Sequence, residues 1–169
     1  MIWTKTKIVR CLGAFFICAK AEEGVVRIMF TIKSEIEMDV SHYLSSYEGK
    51  CKNIHGHRYR LVAKVSSEEL HQEGQLRGMV DDFGNLKKAL KRVHDLFDHK
   101  LLLEDNEEGH KLVEFFSSNG MDFDILLLPY RTTAEEMSRD IYRRLQAEGL
   151  NVTEVELFET PTNSCIYSE

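Results

Sequence analysis

From residue 30 to residue 40 the chain alternates. Phe30, Ile32, Ile36, Met38 and Val40 are apolar on one parity, and Thr31, Lys33, Glu35, Glu37 and Asp39 are polar on the other. A period of two is the mark of a strand with one buried face. A second alternation sets Tyr59, Leu61, Ala63 and Val65 against Arg58, Arg60 and Lys64. The period then changes: Phe83, Leu86, Leu90, Val93 and Phe97 recur at helical spacing behind Asp81 or Asp82, either of which can cap the helix. Residues 104–120 read as a polar loop apart from LVEFF in their middle, and ILLLP at 125–129 reads as a buried extended run or the lead-in to the next helix. Thr132-x-x-Glu135 has the form of a capping box, Met137, Ile141 and Leu145 make the stripe of that helix, and Gly149 can end it. Two strands follow, at about 152–159 and 163–168, with Pro161-Thr162-Asn163 as the turn.

The expected order is therefore ββααββ. It makes an α+β domain with an antiparallel four-stranded sheet and two helices on one face. Such a sheet has two open edges, which favours pairing with copies of itself.

Composition narrows the class. The 169 residues carry a net charge of -6, which argues against a nucleic-acid partner. No apolar run reaches the roughly 20 residues of a membrane span. Ahead of residue 29, Lys5, Lys7 and Arg10 precede CLGAFFICA and a small-x-small exit. That is the shape of a secretory signal, but a translated leader or disordered extension with initiation at Met29 is the preferred reading. The domain is then 29–169. The four cysteines, Cys11, Cys18, Cys51 and Cys165, are too scattered for a disulfide framework, so a reducing, cytoplasmic setting is expected.

The chemistry concentrates in GKCKNIHGHRY, residues 49–59. His55 and His57 share the parity of Tyr59 and Leu61, and His42 continues the apolar parity of the first strand. Three imidazoles thus approach one interior from neighbouring strands. They are either ordinary core histidines or a metal site. Neutral imidazole suits zinc, and three histidines leave a fourth position for water or substrate. Cys51 is open to three readings: a fourth ligand, a thiol base made acidic by the metal and by Lys50 or Lys52, or a small buried residue without a role. Glu159 follows Val155 and Leu157 on an inward parity, where a carboxylate must be paired or functional; it can accept from an N–H-rich heterocycle. Asp98-His99 ends the first helix, as a proton relay or as a histidine favoured by the helix dipole. His71, His94 and His110 read as surface residues.

Together these residues resemble the 6-pyruvoyl-tetrahydropterin synthase family. Ser-His at 41–42, Cys-x-x-x-His-Gly-His at 51–57, Val-Asp-Asp-Phe-x-x-Leu at 80–86, Phe-Asp-His at 97–99, Thr-x-Glu at 133–135 and Glu-Thr…Cys-Ile-Tyr at 159–167 occur in order, across residues 30–168. The three-residue gap between Cys51 and His55 looks like the 6-carboxy-tetrahydropterin synthase branch, which feeds queuosine. The resemblance implies the tunnelling fold (T-fold), with trimeric barrels stacked as hexamers and active sites between subunits. It implies zinc on His42, His55 and His57, Cys51 as proton acceptor with Asp98 and His99 as its relay, and Glu159 anchoring the pterin with Thr133 nearby. The implied substrate is 7,8-dihydroneopterin triphosphate, converted with loss of triphosphate and acetaldehyde. Alternatives are a pyruvoyl-type synthase, a folate-pathway lyase, or a metal-stabilised oligomeric binding protein without activity. Three features depart from the pattern: Leu103 where the family often has Asn, Thr132 where it usually has Pro, and a long segment over residues 104–130.

Overall fold

The computed structural model describes residues 29–169, so the leader expected over residues 1–28 lies outside the described residues. The two alternating segments form long strands, β1 (Phe30–His42) and β2 (His55–Ser67). They pair antiparallel from Phe30 opposite Ser67 to His42 opposite His55. After β2 come α1 (Phe83–Phe97), β3 (Leu101–Glu104), α2 (Glu107–Ser118), β4 (Ile125–Leu128), α3 (Ala134–Ala147), β5 (Val152–Thr160) and β6 (Asn163–Tyr167).

The expected four-stranded antiparallel sheet with two helices is corrected here. The sheet has six strands in the order β4-β3-β1-β2-β5-β6, and it is mixed, because β3 pairs parallel with both β1 and β4. Three α-helices accompany it among the described residues. The reason lies in burial. Leu101, Leu102 and Leu103 are all buried, since β3 is covered on both faces, and a strand covered on both faces shows no alternation. Leu102 joins the main core, whereas Leu101 and Leu103 join Tyr43 in a second cluster with Leu112, Val113 and Phe116 of α2. Successive strand residues point to opposite faces. So α2 covers the face opposite to the main core, and the helices are not all on one side.

The α+β class itself holds, as do both expected long helices. α1 begins where Asp82 accepts the N–H of Gly84 at 2.7 Å. α3 is capped one residue later than the sequence pattern suggested: Thr133, not Thr132, accepts the N–H of Glu136. Thr132 is wholly buried and used elsewhere. Leu86, Leu90 and Phe97 of α1 and Met137, Ile141 and Leu145 of α3 pack on Met38, Tyr59, Leu61, Val155 and Leu157 of the central strands. The opposite face of β1 and β2 carries cross-strand ion pairs, Asp39–Arg58 and Glu35–Arg60.

Candidate active site

The β1–β2 register builds the centre. It sets His42 directly opposite His55, and Val40 opposite His57. Ring centroids are 4.6 Å apart for His42 and His55, 5.3 Å for His42 and His57, and 5.0 Å for His55 and His57. One nitrogen from each of the three lies within 4.8 Å of the others. Gly56, between two of them, lets the strands approach: a Cβ there would sit 3.2 Å from the Val40 carbonyl oxygen.

Two of the imidazoles are fixed in tautomer. His42 Nδ1 is 2.8 Å from the carbonyl of Thr132, and His55 Nδ1 is 2.8 Å from that of Asn53. A carbonyl only accepts, so each Nδ1 carries the proton and each Nε2 presents a lone pair. Burial lowers the pKa of His42 and of His57, favouring neutral rings in both. Three convergent imidazoles, two of them with anchored second nitrogens, fit a zinc-type cation.

Two further groups reach this centre from the helix side of the sheet. Glu159 Oε1 is 3.6 Å from His42 Nε2 and 3.9 Å from His57 Nε2. Tyr59, wholly buried on β2, donates its phenol to that same Oε1 at 3.2 Å and lies 3.4 Å from His42 Nε2. Burial, and then the charge of Glu159, push the phenol's pKa far up, so it remains a donor. Sequence reading took Tyr59 for a core residue. Its one signal was a polar tip on the same parity as His55 and His57.

A cavity of about 310 Å³ opens beside the histidines and is lined by His42, Cys51, Thr133, Glu135, Glu159 and Cys165, among others. Cys51 sits in a single 3₁₀ turn, Lys50–Lys52, and its carbonyl accepts the N–H of Leu44 at 2.8 Å, which ties that turn to the end of β1. Thr133 arrives through its place at the head of α3. Cys165, on β6, was not singled out as a site residue; Ser138 Oγ lies 3.4 Å from its sulfur.

Asp98 and His99 are placed elsewhere. His99 lines a second cavity, of about 470 Å³, with Asp39, His57, Arg58, Lys100 and Phe123. Its side chain is 78% exposed. The structure therefore gathers His42, His55 and His57 beside the cavity of Cys51, Glu159 and Thr133, whereas His99 lines a second cavity, which His57 borders. His110 is exposed and pairs with Asp105, as expected, whereas His94, expected at the surface, is half-buried, with Nδ1 3.1 Å from Asp95 and Nε2 3.4 Å from Asp98.

An antiparallel pair of long strands thus brings together three histidines that could hold a metal ion, beside a cysteine-lined cavity. The family model described as 6-pyruvoyl tetrahydropterin synthase matches residues 31–169, and the chain belongs to this family. It is 38% identical over 145 residues to the 6-carboxy-5,6,7,8-tetrahydropterin synthase of Haemophilus influenzae, covering 83% of this chain and 100% of the relative. It is 34% identical to the protein of the same name from Rickettsia bellii, covering 79% of this chain and 96% of that one. Among solved structures, an uncharacterized protein from Wolinella succinogenes superposes with a TM-score of 0.68 at 18% identity, over 84% of this chain and 99% of the other. The 6-pyruvoyltetrahydropterin synthase of Plasmodium vivax gives a TM-score of 0.62 at 18% identity, over 84% and 98% of the two chains. These structural likenesses establish the shared fold.

Proposed function

We propose that this protein is a zinc-dependent lyase that converts 7,8-dihydroneopterin triphosphate to 6-carboxy-5,6,7,8-tetrahydropterin, releasing triphosphate and acetaldehyde, on the route to 7-deazaguanines such as queuosine. The observation that carries this reading is the convergence of His42, His55 and His57, with His42 lining a cavity that also holds Cys51 and Glu159. The names of the relatives support the same product.

Each residue has work suited to its place. The three histidines would hold the zinc ion, which would supply a Lewis acid for the hydroxyls of the substrate side chain. Glu159 is an acceptor at the cavity wall and takes hydrogen bonds from the N–H edge of the pterin ring. Cys51 is the proton acceptor and returns the proton at another atom, as general acid–base catalysis requires. Thr133 lines the cavity at the helix head and contacts the ring from there. The relay for Cys51 is the Asp98–His99 pair of a second copy of the chain, because His99 of the same chain lines a different cavity from Cys51. A trimer or hexamer with sites between subunits, the assembly that the family resemblance implies, agrees with that division. The acidic chain takes a small-molecule partner rather than nucleic acid, no helix among the described residues is long and apolar enough to cross a membrane, and the enzyme works in the cytoplasm.

The test is incubation of zinc-loaded protein with dihydroneopterin triphosphate and identification of the product by mass spectrometry. A carboxy-tetrahydropterin is expected. A pyruvoyl product would move the enzyme to the other branch of the family, and unchanged substrate with metal bound would make it a binding protein. Cys51→Ala should abolish turnover and keep the metal; loss of the metal as well would make Cys51 a ligand.

A further inference from the structure

Glu159 stands within reach of two demands. Donor atoms around a tetrahedral zinc ion, each about 2.0–2.1 Å from the metal, lie about 3.3 Å from one another. Glu159 Oε1 is already 3.6 Å and 3.9 Å from the Nε2 atoms of His42 and His57. A small rotation would make it a fourth ligand, and three imidazoles with one carboxylate fill a tetrahedron. The oxygen nearest those nitrogens is also the one that accepts the Tyr59 phenol, at 3.2 Å. Tyr59 cannot swing away. It is 0% exposed, and it lies within the β1–β2 ladder opposite Met38.

We propose that Tyr59 is a positioning residue that holds the Glu159 carboxylate out of the metal's coordination sphere and so keeps the fourth position open to substrate. This rests on the reading of the three histidines as the metal centre. The phenol has one proton to give. Its two candidate acceptors are Glu159 Oε1 and the more distant His42 Nε2, at 3.4 Å. Once His42 Nε2 is a metal ligand its lone pair is taken, and the proton belongs to Glu159. An oxygen already accepting a hydrogen bond is a poorer donor to a cation. The second carboxylate oxygen takes no part in that contact, and it remains available to a ligand in the cavity. One phenol thereby separates the two roles that a carboxylate at this point could play.

A tyrosine that merely satisfied its own buried hydroxyl would make a different prediction. Its replacement by phenylalanine would lower stability and leave metal affinity unchanged or weaker. The positioning role predicts the opposite sign for the metal. The experiment uses the full chain, with zinc affinity measured by competition against a chromogenic chelator and Co²⁺ absorption as the report of the ligand set. Tyr59→Phe should bind zinc about tenfold more tightly, the scale on which neighbours of metal ligands act. Its cobalt d–d bands should shift as a carboxylate replaces solvent, and KM for the pterin substrate should rise. Adding Glu159→Gln to Tyr59→Phe should return the affinity to that of the wild type, because an amide oxygen is a weak zinc ligand. Tyr59→Leu also removes the hydroxyl and serves if the phenylalanine variant does not fold. Unchanged or weaker zinc binding with an unshifted cobalt spectrum overturns the proposal and leaves the metal centre standing. A wild-type protein that takes up neither ion overturns both.

Discussion

His99 turns back onto the residue before it: its Nδ1 lies 2.8 Å from Asp98 Oδ2, with His99 itself at a φ of 58°. The other oxygen of Asp98 accepts the backbone N–H of Asp39 at 2.9 Å, and the N–H of His99 donates to the Asp39 carbonyl at 2.7 Å. The pair is therefore locked to β1 at two points and presents the remaining face of the imidazole outward. An exposed, oriented and charge-paired imidazole is what a group serving a neighbouring subunit needs.

This lock has a pH signature. The hydrogen bond that the His99 ring donates to Asp98, and then the charge of that carboxylate, raise the pKa of His99 above its ordinary 6.5. A raised folded value means that the protonated form stabilises the fold. That contribution is complete below about 6.5 and is lost as pH rises through the raised value. Asp98→Asn keeps the shape and removes the charge. An NMR titration of the His99 ring should show a lower pKa in that variant than in the wild type. Equal midpoints would remove Asp98 as the cause.

Thr132 gives a prediction about the metal. Its carbonyl accepts from His42 Nδ1 at 2.8 Å, and its hydroxyl donates to the Tyr43 carbonyl at 3.0 Å. The chain before α3 is thus bracketed to residues 42 and 43 together, and the bracket aims His42. Thr132→Val keeps the volume and loses the hydroxyl. Zinc affinity should fall by about tenfold, and Thr132→Ser should recover most of it. A chelator competition that ranks all three proteins equally would show that the backbone carbonyl alone is enough.

These relationships mark the boundary of what was legible in the sequence. The long strands announced themselves because β1 and β2 have one charged face, and the same parity put His42, His55 and His57 on a common side. α1 and α3 carried helical stripes. The short strands β3 and β4 carried no period, because Leu101 and Leu103 face one cluster while Leu102 faces the other. α2 hid behind its polar positions, although Asn106 caps it by accepting the N–H of Gly109 at 2.9 Å. The contact between Tyr59 and Glu159 spans 100 residues of chain, and the separation of His99 from Cys51 depends on sheet topology. No local pattern encodes either.

Gly109 tests the placement of α2. A Cβ built there would lie 2.1 Å from the backbone oxygen of Glu104, at the end of β3. Backbone cannot give way as the tip of a flexible side chain can. Gly109→Ala should therefore destabilise the protein by about 1–3 kcal/mol despite the better helix propensity of alanine. Denaturant unfolding followed by circular dichroism measures this. Zinc binding should be untouched, since the histidine centre lies on other elements. A neutral or stabilising result would mean that α2 is free to start elsewhere.

Leu103 is coupled to α2. It has 0% exposure and is packed in the cluster that Leu112, Val113 and Phe116 of α2 complete. The helix laid on this face excludes the water that an amide at position 103 would use. Leu103→Asn should then be costly. It removes apolar burial and places an amide where the surrounding side chains are apolar, at about 2–4 kcal/mol in total. Hydrogen exchange should show the loss first in α2 and β4, with the His42–His55 end of the sheet protected as before. If Asn is accepted at position 103 with wild-type stability and protection, the coupling between this residue and α2 is wrong, and the long segment is an independent addition to the fold.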